Sequence, residues 1–250
     1  MELTDKEKLA RERICLALDV DTVDKALSLV DELFDLVGVF KVGKELHCTA
    51  CNEGVPIVQE IHKRGGKVFL DLKFHDTPQT IYSACKAAVV PGVRIINLHI
   101  AGGEEMCKKA IQGAKEKATQ LDIATPKVVG VTLLTSLNDE DLKKQGLGIG
   151  YDQLALRRTI LAKEWGLDGI VCPANKAKEL QSHVSEPFLF VTPGIEWQGK
   201  YGSGQKQLYT PELALRDCNN SILVIGSAIT KAKNKRETAY NILSEMVRAV

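Results

Sequence analysis

The organisation of the chain is clearest in residues 68–78, which read Val-Phe-Leu-Asp-Leu-Lys-Phe-His-Asp-Thr-Pro. Side chains alternate between the two faces of a β-strand, so Phe69, Asp71 and Lys73 share one face. The apolar residues at 68, 70 and 72 share the other face, which is suited to packing beneath helices. Thr77-Pro78 then provides a favourable N-cap and first position for a helix.

The charged residues of this stretch have two interpretations. Asp71, Lys73 and Asp76 lie close together along the chain, and such charges are costly to remove from water unless they neutralise one another. One interpretation is a solvated strand end on the surface. The other is a functional cluster at the carboxyl end of a buried strand, and the organisation of the whole chain favours it.

Strand-like and helix-like patterns alternate throughout the sequence. Strands are predicted at 14–19, 37–42, 67–73, 94–99, 127–133, 168–172, 187–191 and 221–226. Helices are predicted at 22–34, 46–64, 78–90, 103–118, 138–165 in two pieces, 174–183, 210–216 and 231–249. Eight βα units without a linker predict an α/β protein, a (β/α)8 TIM barrel, with residues 1–250 as a single domain and 1–12 as an N-terminal extension. A doubly wound sheet is the alternative, but no Gly-x-Gly-x-x-Gly follows the first strand.

The composition is that of an ordinary soluble protein. The chain has 250 residues, a formal net charge of +1 and 44% hydrophobic residues. No run of about 18 apolar residues predicts a membrane span, and the charged N-terminus lacks the apolar segment of a signal peptide. The balanced charge gives no electrostatic case for nucleic acid. We therefore expect a cytoplasmic protein that binds neither membrane nor nucleic acid.

The seven cysteines do not form a disulfide or metal pattern. Cys15, Cys85 and Cys172 fall inside predicted strands or helices and are interpreted as small buried hydrophobic residues. Cys48-Thr49-Ala50-Cys51 has redox or metal spacing, but no second ligand pair stands nearby and the segment resembles a helix entry. We expect no metal site.

Strand alternation predicts which polar residues face the barrel interior. Asp19, Lys41, Asp71 and Lys73 come from the tops of three successive strands, on the faces opposite the bulky residues. The same alternation predicts that Asn97 and His99 of the fourth strand face the interior. In the fifth strand it predicts that Val128, Gly130 and Thr132 do so. His99 is more simply explained as a hydrogen-bonded core residue.

Alternating carboxylates and lysines form a preorganised charge array. Each cation keeps its neighbouring carboxylates ionised, and each carboxylate keeps the lysines protonated. A protonated lysine beside a fixed carboxylate can deliver a proton to a developing carbanion and stabilise its charge. No cofactor motif accompanies the cluster, so the sequence predicts cofactor-independent proton transfer at carbon, such as decarboxylation or enolisation.

A resemblance to a known family extends over nearly the whole chain. The motifs that carry it are Leu18-Asp19-Val20, Lys41-Val42-Gly43-Lys44-Glu45, Asp71-x-Lys73-x-x-Asp76, Gly130-Val131-Thr132-Leu133-Leu134-Thr135-Ser136, Thr192-Pro193-Gly194-Ile195, Gly204-Gln205-Lys206 and Val224-Ile225-Gly226. In this order they resemble the orotidine 5′-monophosphate decarboxylase family. The resemblance implies a dimeric (β/α)8 barrel that converts orotidine monophosphate to UMP and CO2 without a cofactor.

The resemblance also implies a role for each matching residue. Lys73 would be the proton donor, with Asp71 beside the departing carboxylate and with Lys41 and Asp19 at the ribose. The remaining matching positions are Asp76 and Thr80, which would reach into the site of a neighbouring subunit, Thr132 and Ser136, on the loop near the pyrimidine, and Gln205, on the loop that closes over the phosphate.

The phosphate end departs from the family pattern. The family reads Val-Ile-Gly-Arg after the eighth strand, and its arginine grips the phosphate, but this chain has Ser227 after Gly226. Serine supplies no charge in place of the planar guanidinium. Backbone N–H groups at Gly226 and Ser227 can still bind phosphate, and Lys200 or Lys206 is a candidate for the missing charge. Glu196 stands where many bacterial members have a second arginine.

Two alternatives to this function remain open. One is a Mg²⁺-dependent sugar-phosphate decarboxylase or aldolase of the same superfamily, which shares the Asp-x-Lys-x-x-Asp motif but tends to carry an acidic residue in place of Lys41. The other is a catalytically silent barrel that acts as a binding or regulatory partner. Ser227 and Glu196 favour the silent barrel, whereas the intact set of acidic and basic residues favours the enzyme.

Overall fold

Eight parallel strands close into a barrel in the computed structural model, which describes residues 3–195, 197 and 209–249. The strands are β1 Ile14–Ala17, β2 Val39–Gly43, β3 Val68–Phe74, β4 Val93–His99, β5 Lys127–Val131, β6 Gly169–Val171, β7 Leu189–Thr192 and β8 Ser221–Ile225. Each strand pairs with its neighbour in sequence, and β8 pairs with β1. The predicted (β/α)8 barrel is therefore confirmed.

Helices follow the strands around the outside of the barrel. They are α1 Asp5–Arg11, α2 Val23–Leu33, α3 Lys44–Asn52, α4 Ile57–Lys63, α5 Pro78–Ala88, α6 Glu104–Leu121, α7 Asp139–Lys144, α8 Tyr151–Glu164, α9 Ala174–Gln181, α10 Pro211–Asp217, α11 Ser227–Thr230 and α12 Lys235–Met246, with 3-10 turns at Ile100–Gly102 and Val247–Ala249. Among the residues that the structure describes, none of the helices combines the length and apolar character needed to cross a membrane.

Three helical segments differ from their predictions. The helix predicted over 46–64 is two helices, because Gly54 turns the chain with φ +67° and Pro56 follows it. The helix predicted over 231–249 is preceded by the short α11 and ends at Met246. The N-terminal extension contains α1, which begins at a capping box formed by Thr4 and Glu7.

Most of the buried apolar residues form two layers separated by the strands. One layer fills the barrel and includes Cys15, Val39, Phe69 and Ile95. The other lies between the strands and the helices and includes the alternate residues Ile14, Leu16, Leu18, Phe40, Val42, Val68, Leu70, Ile96 and Leu98. The predicted alternation of β1 to β4 is thus confirmed, and it directs the polar residues of these strands inward.

The alternation predicted for β5 is wrong. Val129 packs inside the barrel, and Val131 lines the cavity at its top, whereas Val128 packs among the helices. A Cβ added to Gly130 would lie only 2.5 Å from the Ile100 side chain, so glycine fits the crowded helix-facing side. Valines occur on both faces of this strand, and a pattern without alternation carries no information about which face is inside.

Candidate active site

A cavity of about 410 Å³ opens at the carboxyl ends of the strands. Its lining residues are Ala17, Asp19, Lys41, Phe69, Asp71, Lys73, Val131, Leu133, Leu134, Thr135, Val171, Val191, Pro193, Gly194, Ile195, Val224, Gly226 and Ser227. The carboxyl end of the strands is where (β/α)8 barrels place their active sites. The four charged residues among them are the four that strand alternation predicted to converge.

Lys41 joins the two carboxylates at the start of the cluster. Its Nζ donates to Asp19 Oδ1 at 2.8 Å and lies 3.4 Å from Asp71 Oδ2. The side chains of Lys41 and Asp71 are each 11% exposed, and that of Asp19 is 64% exposed. Desolvation lowers the pKa of Lys41, but the charges of Asp71 and Asp19 more than offset it, so the pKa lies above its ordinary value. Lys41 therefore stays a fixed cation.

Gly43 gives the Lys41–Asp19 pair the room that it needs. Strand β2 ends at this residue, and a Cβ added there would lie 3.3 Å from Lys41 Nζ and 3.6 Å from Asp19 Oδ1. The first separation is tighter than most real Cβ contacts, so any side chain would push on the ion pair.

Asp71 is the centre of the cluster and accepts two hydrogen bonds on one oxygen. Lys73 Nζ donates to Asp71 Oδ1 at 2.6 Å, and Asn97 Nδ2 donates to the same atom at 2.6 Å. Charge-assisted hydrogen bonds of this kind are short and strong. Asn97 was predicted to face inward, but no role was predicted for it. Its inward position on the strand next to that of Asp71 is the sequence feature that could have indicated this contact.

The backbone of Lys73 adopts a left-handed conformation with φ +53°. This region is sterically disfavoured for a residue with a Cβ, at a cost on the order of 1–2 kcal/mol. The N–H of Lys73 donates to Asn97 Oδ1 at 2.8 Å, which helps to hold the conformation. Strain of this kind is concentrated at functional sites, and nothing in the local sequence predicts it.

Asp76 and Thr80 lie outside this cavity. Both are exposed at the start of α5, where Pro78 takes the predicted first helical position. Asp76 Oδ1 accepts from the Thr77 N–H at 2.6 Å, and the Thr77 and Thr80 hydroxyls are 2.9 Å apart. These side chains are available to a neighbouring molecule rather than to the cavity of their own chain.

Neither of the two residues predicted to lie near a pyrimidine lines the cavity. The Thr132 side chain is buried, donates to the Val171 carbonyl at 3.2 Å and is not among the residues that line the cavity. Ser136 is exposed and also lies outside the lining. Leu133 and Thr135, to which the sequence analysis gave no role, line the cavity instead. Strand β5 ends at Val131, so the alternation of a strand no longer applies to these residues.

The opposite end of the cavity carries no charge among the described residues. Gly226 and Ser227 line it at the start of α11, together with Gly194 and Ile195 after β7. Four residues of the predicted phosphate region lie outside the described residues: Glu196, Lys200, Gln205 and Lys206.

Two histidines lie beside the charged cluster. The ring centroids of His75 and His99 are 5.5 Å apart. Burial lowers the pKa of His99, and the nearby positive charges, including His75, Lys44 and Lys73, lower it further. His99 is therefore neutral near pH 7 and is not a charged member of the cluster. It is half-buried at the end of β4 rather than a core residue.

The cysteines are free thiols. Cys15, Cys85 and Cys172 are buried as predicted, and burial raises the pKa of the Cys15 thiol to about 12. Cys48 and Cys51 are exposed on α3, with Cys51 Sγ 3.8 Å from His47 Nε2. In the part of the chain that the structure describes, no three histidine, cysteine or acidic side chains are grouped as metal ligands.

Comparison with known proteins accounts for this combination of barrel and cluster. The sequence model of the orotidine 5′-phosphate decarboxylase / HUMPS family matches residues 12–242. The chain belongs to this family. The resemblance predicted from the motifs is thereby confirmed, since the match includes every strand of the barrel and every charged residue of the cavity.

Individual relatives match over almost their entire length. The orotidine 5′-phosphate decarboxylase of Saccharophagus degradans is 38% identical over 240 residues, which are 95% of this chain and 96% of the relative. That of Syntrophomonas wolfei is 38% identical over 239 residues, covering 95% and 98% of the two chains. The crystal structure of the orotidine 5′-phosphate decarboxylase from Lactobacillus acidophilus superimposes with a TM-score of 0.81 at 29% identity, covering 93% of this chain and 98% of that one.

Proposed function

We propose that this protein decarboxylates orotidine 5′-monophosphate to UMP and CO2 in pyrimidine biosynthesis, without a cofactor. The observation that carries the proposal is the continuous Asp19–Lys41–Asp71–Lys73 array in the cavity of a member of this family. These fixed charges line one cavity. Enzymes use such preorganised charges to stabilise a charge that develops in a transition state.

Lys73 is the proton donor in this mechanism. The bond between the ring carbon and the carboxylate breaks, both electrons stay on the ring carbon, and CO2 leaves. The Lys73 ammonium, which is 27% exposed and points into the cavity beside Asp71, then transfers a proton to that carbon. The neutral amine regains its proton from solvent, so the enzyme returns to its starting state.

The neighbouring residues of the cluster hold the reacting groups in place. Asp71 lies beside the departing carboxylate and disfavours its charged ground state, while its two hydrogen bonds fix its orientation. Lys41 and the more exposed Asp19 contact the ribose hydroxyls at the mouth of the cavity. The substrate is thus oriented by groups that are already paired and need not reorganise.

The active species in this proposal is a homodimer with shared sites. Asp76 and Thr80 are exposed and do not line their own cavity, which supports their reaching into the cavity of a second copy. Two-fold dimers are the commonest symmetric assemblies, and each copy then completes the other.

The remaining parts of the substrate are proposed to contact uncharged groups of the protein. Ser136 is proposed to contact the pyrimidine, and Gln205 belongs to the loop expected to close over the phosphate. Gly226 and Ser227 are proposed to bind the phosphate through backbone N–H groups and one hydroxyl. Thr132 acts through the structure of its loop, because its hydroxyl is already bound to Val171 and its carbonyl accepts from Arg158 at 2.6 Å. A cytoplasmic location is supported by the seven free thiols, which are typical of a reducing compartment.

The experiment is a spectrophotometric assay of orotidine monophosphate loss by purified protein, with and without a chelator. We expect turnover that the chelator leaves unchanged, since fixed side-chain charges perform every step. Turnover that the chelator abolishes would favour the Mg²⁺-dependent relatives. No loss and no binding of orotidine monophosphate would favour the silent barrel, for which Ser227 is the supporting observation.

A further inference from the structure

Strand β3 is irregular opposite one residue of β4. Leu70 pairs with Ile96, but the next pair is Phe74 with Leu98, so residues 71–73 of β3 face the single residue Asn97 of β4. Extra residues of this kind form a bulge, and bulges re-aim side chains next to active sites. Here the bulge contains both Asp71 and Lys73.

The side chain of Asn97 closes this bulge. Asn97 is fully buried, its Oδ1 accepts from the Lys73 N–H at 2.8 Å, and its Nδ2 donates to Asp71 Oδ1 at 2.6 Å. The orientation of the amide follows from its partners, because a flipped amide would set oxygen against a carboxylate and N–H against N–H. The Asn97 amide therefore binds both the backbone of Lys73 and the carboxylate of Asp71, with which Lys73 Nζ is paired.

We infer that Asn97 is a positioning residue for proton transfer, which fixes Lys73 and Asp71 in register with each other; the inference rests on the proposed function. The left-handed Lys73 backbone needs a partner outside its own strand, and Asn97 supplies it. Lys73 Nζ and Asn97 Nδ2 donate to the same oxygen, so rotation of the Asp71 carboxylate breaks both bonds at once. Small misplacements of a reacting group lower rates strongly.

A purely structural role is the alternative. Asn97 would then serve only to satisfy the Lys73 N–H, as buried donors generally require. Asn97→Asp separates the two roles, because it keeps the acceptor for that N–H while replacing the donor to Asp71 with a second carboxylate. Asn97→Ala removes both bonds.

The experiment measures kcat, KM and the free energy of unfolding for wild type, Asn97→Asp, Asn97→Ala and the control Asn220→Ala. Asn220 is also an amide with two side-chain hydrogen bonds, to the Phe188 carbonyl at 2.6 Å and from Arg13 at 3.3 Å, but it precedes β8 at the far end of the barrel. We expect both Asn97 variants to lose at least ~100-fold in kcat with KM within about fivefold of wild type, and Asn220→Ala to keep kcat within about twofold.

Two results of this kinetic comparison would overturn the inference. One is an Asn97→Asp protein whose kcat stays within about threefold of wild type, since the donor to Asp71 would then be dispensable. The other is a loss of kcat in both variants that matches the unfolded fraction, so that each folded molecule works at the wild-type rate. Asn97→Asp is nearly isosteric, so the comparison survives if Asn97→Ala does not fold.

A second readout separates this inference from the proposed function. Acylation of Lys73 by an amine-directed reagent at about pH 9, followed by peptide mass spectrometry, needs no turnover. We expect Lys73 to react at least ~3-fold faster in Asn97→Ala, where its anchor is lost, and at least ~3-fold slower in Asn97→Asp, where a second carboxylate can pair with its Nζ. Lys44, an exposed lysine outside the cavity lining, is the internal control. An inactive wild type would refute the proposed function alone, whereas equal Lys73 rates in all proteins would refute the role of Asn97.

Discussion

The two ends of the cavity are built on different principles. At the ends of β1, β2 and β3, four charged side chains form a chain of ion pairs with separations of 2.6 to 3.4 Å. At the ends of β7 and β8, the described lining residues are uncharged: Val191, Pro193, Gly194, Ile195, Val224, Gly226 and Ser227. The charged end carries two carboxylates and two lysines of this chain, whereas the uncharged end offers backbone N–H groups and one hydroxyl.

This difference separates chemistry from substrate binding. In the proposed mechanism, the fixed charges act on the group that changes charge in the transition state. All four of them line the cavity. A remote phosphate contributes binding energy that is used to position the substrate, and an arginine fork is the stronger way to hold it. We therefore expect changes at the charged end to act mainly on kcat, and changes at the uncharged end to act on kcat/KM.

The largest effect is expected at the proton donor. Lys73→Ala should lower kcat by at least ~10⁴-fold, because both the proton and the charge that stabilises the carbanion are lost. Circular dichroism should show an intact fold, and the assay is the loss of orotidine monophosphate absorbance. Lys44→Ala is the matched control, since this lysine is exposed beyond β2 and does not line the cavity. A Lys73→Ala protein within tenfold of wild type would remove Lys73 from the mechanism.

The charged end should also depend on a second chain. Mixing Lys73→Ala with Asp76→Ala protein creates hybrid dimers in which one of the two sites has both residues. Random exchange makes half of the dimers hybrid, so the mixture should recover about a quarter of wild-type activity. Each parent protein incubated alone is the control, and native mass spectrometry reports subunit exchange. Proven exchange without recovery would show that each site is complete within one chain.

A cation added to the uncharged end should make it a better phosphate site. Ser227→Arg is expected to raise kcat/KM for orotidine monophosphate by at least ~30-fold, about 2 kcal/mol of transition-state binding. Ser227→Met provides a long side chain without charge and should bring no gain. If Ser227→Arg is neutral while Lys200→Ala or Lys206→Ala lowers kcat/KM severely, one of those lysines already binds the phosphate, and the uncharged end is not impaired.

The smallest effect is expected at His99, which borders the charged end without belonging to it. His99→Gln should change kcat/KM by less than about threefold near pH 7, since a neutral ring contributes no charge. Its folded pKa is lowered, so below about pH 6.5 the unfolded state binds more protons than the folded state. Wild type should therefore lose stability relative to His99→Gln as the pH falls through this range, which denaturant unfolding at several pH values measures. A constant difference in stability would contradict the lowered pKa.

Most residues of the charged end could be predicted from the sequence, because bulky and polar residues alternate in β1 to β4. In a closed barrel the polar residues of neighbouring strands then point to the same interior and lie close together. Strand β5 could not be assigned in this way, since Val128 and Val129 are equally apolar. The left-handed backbone of Lys73 and its bond to Asn97 also could not be predicted. Both depend on a shift in register between β3 and β4, which is set by how two distant segments pair rather than by local preference.

The most direct test of the central claim is product analysis in D2O. Wild-type protein is incubated with orotidine monophosphate, and the products are identified by NMR. The proposed mechanism predicts CO2 and UMP that carries a single deuteron on the carbon that bore the carboxylate, with none formed by Lys73→Ala. Unchanged orotidine monophosphate under conditions where it is bound by wild-type protein, or equal product formation by Lys73→Ala, would contradict it.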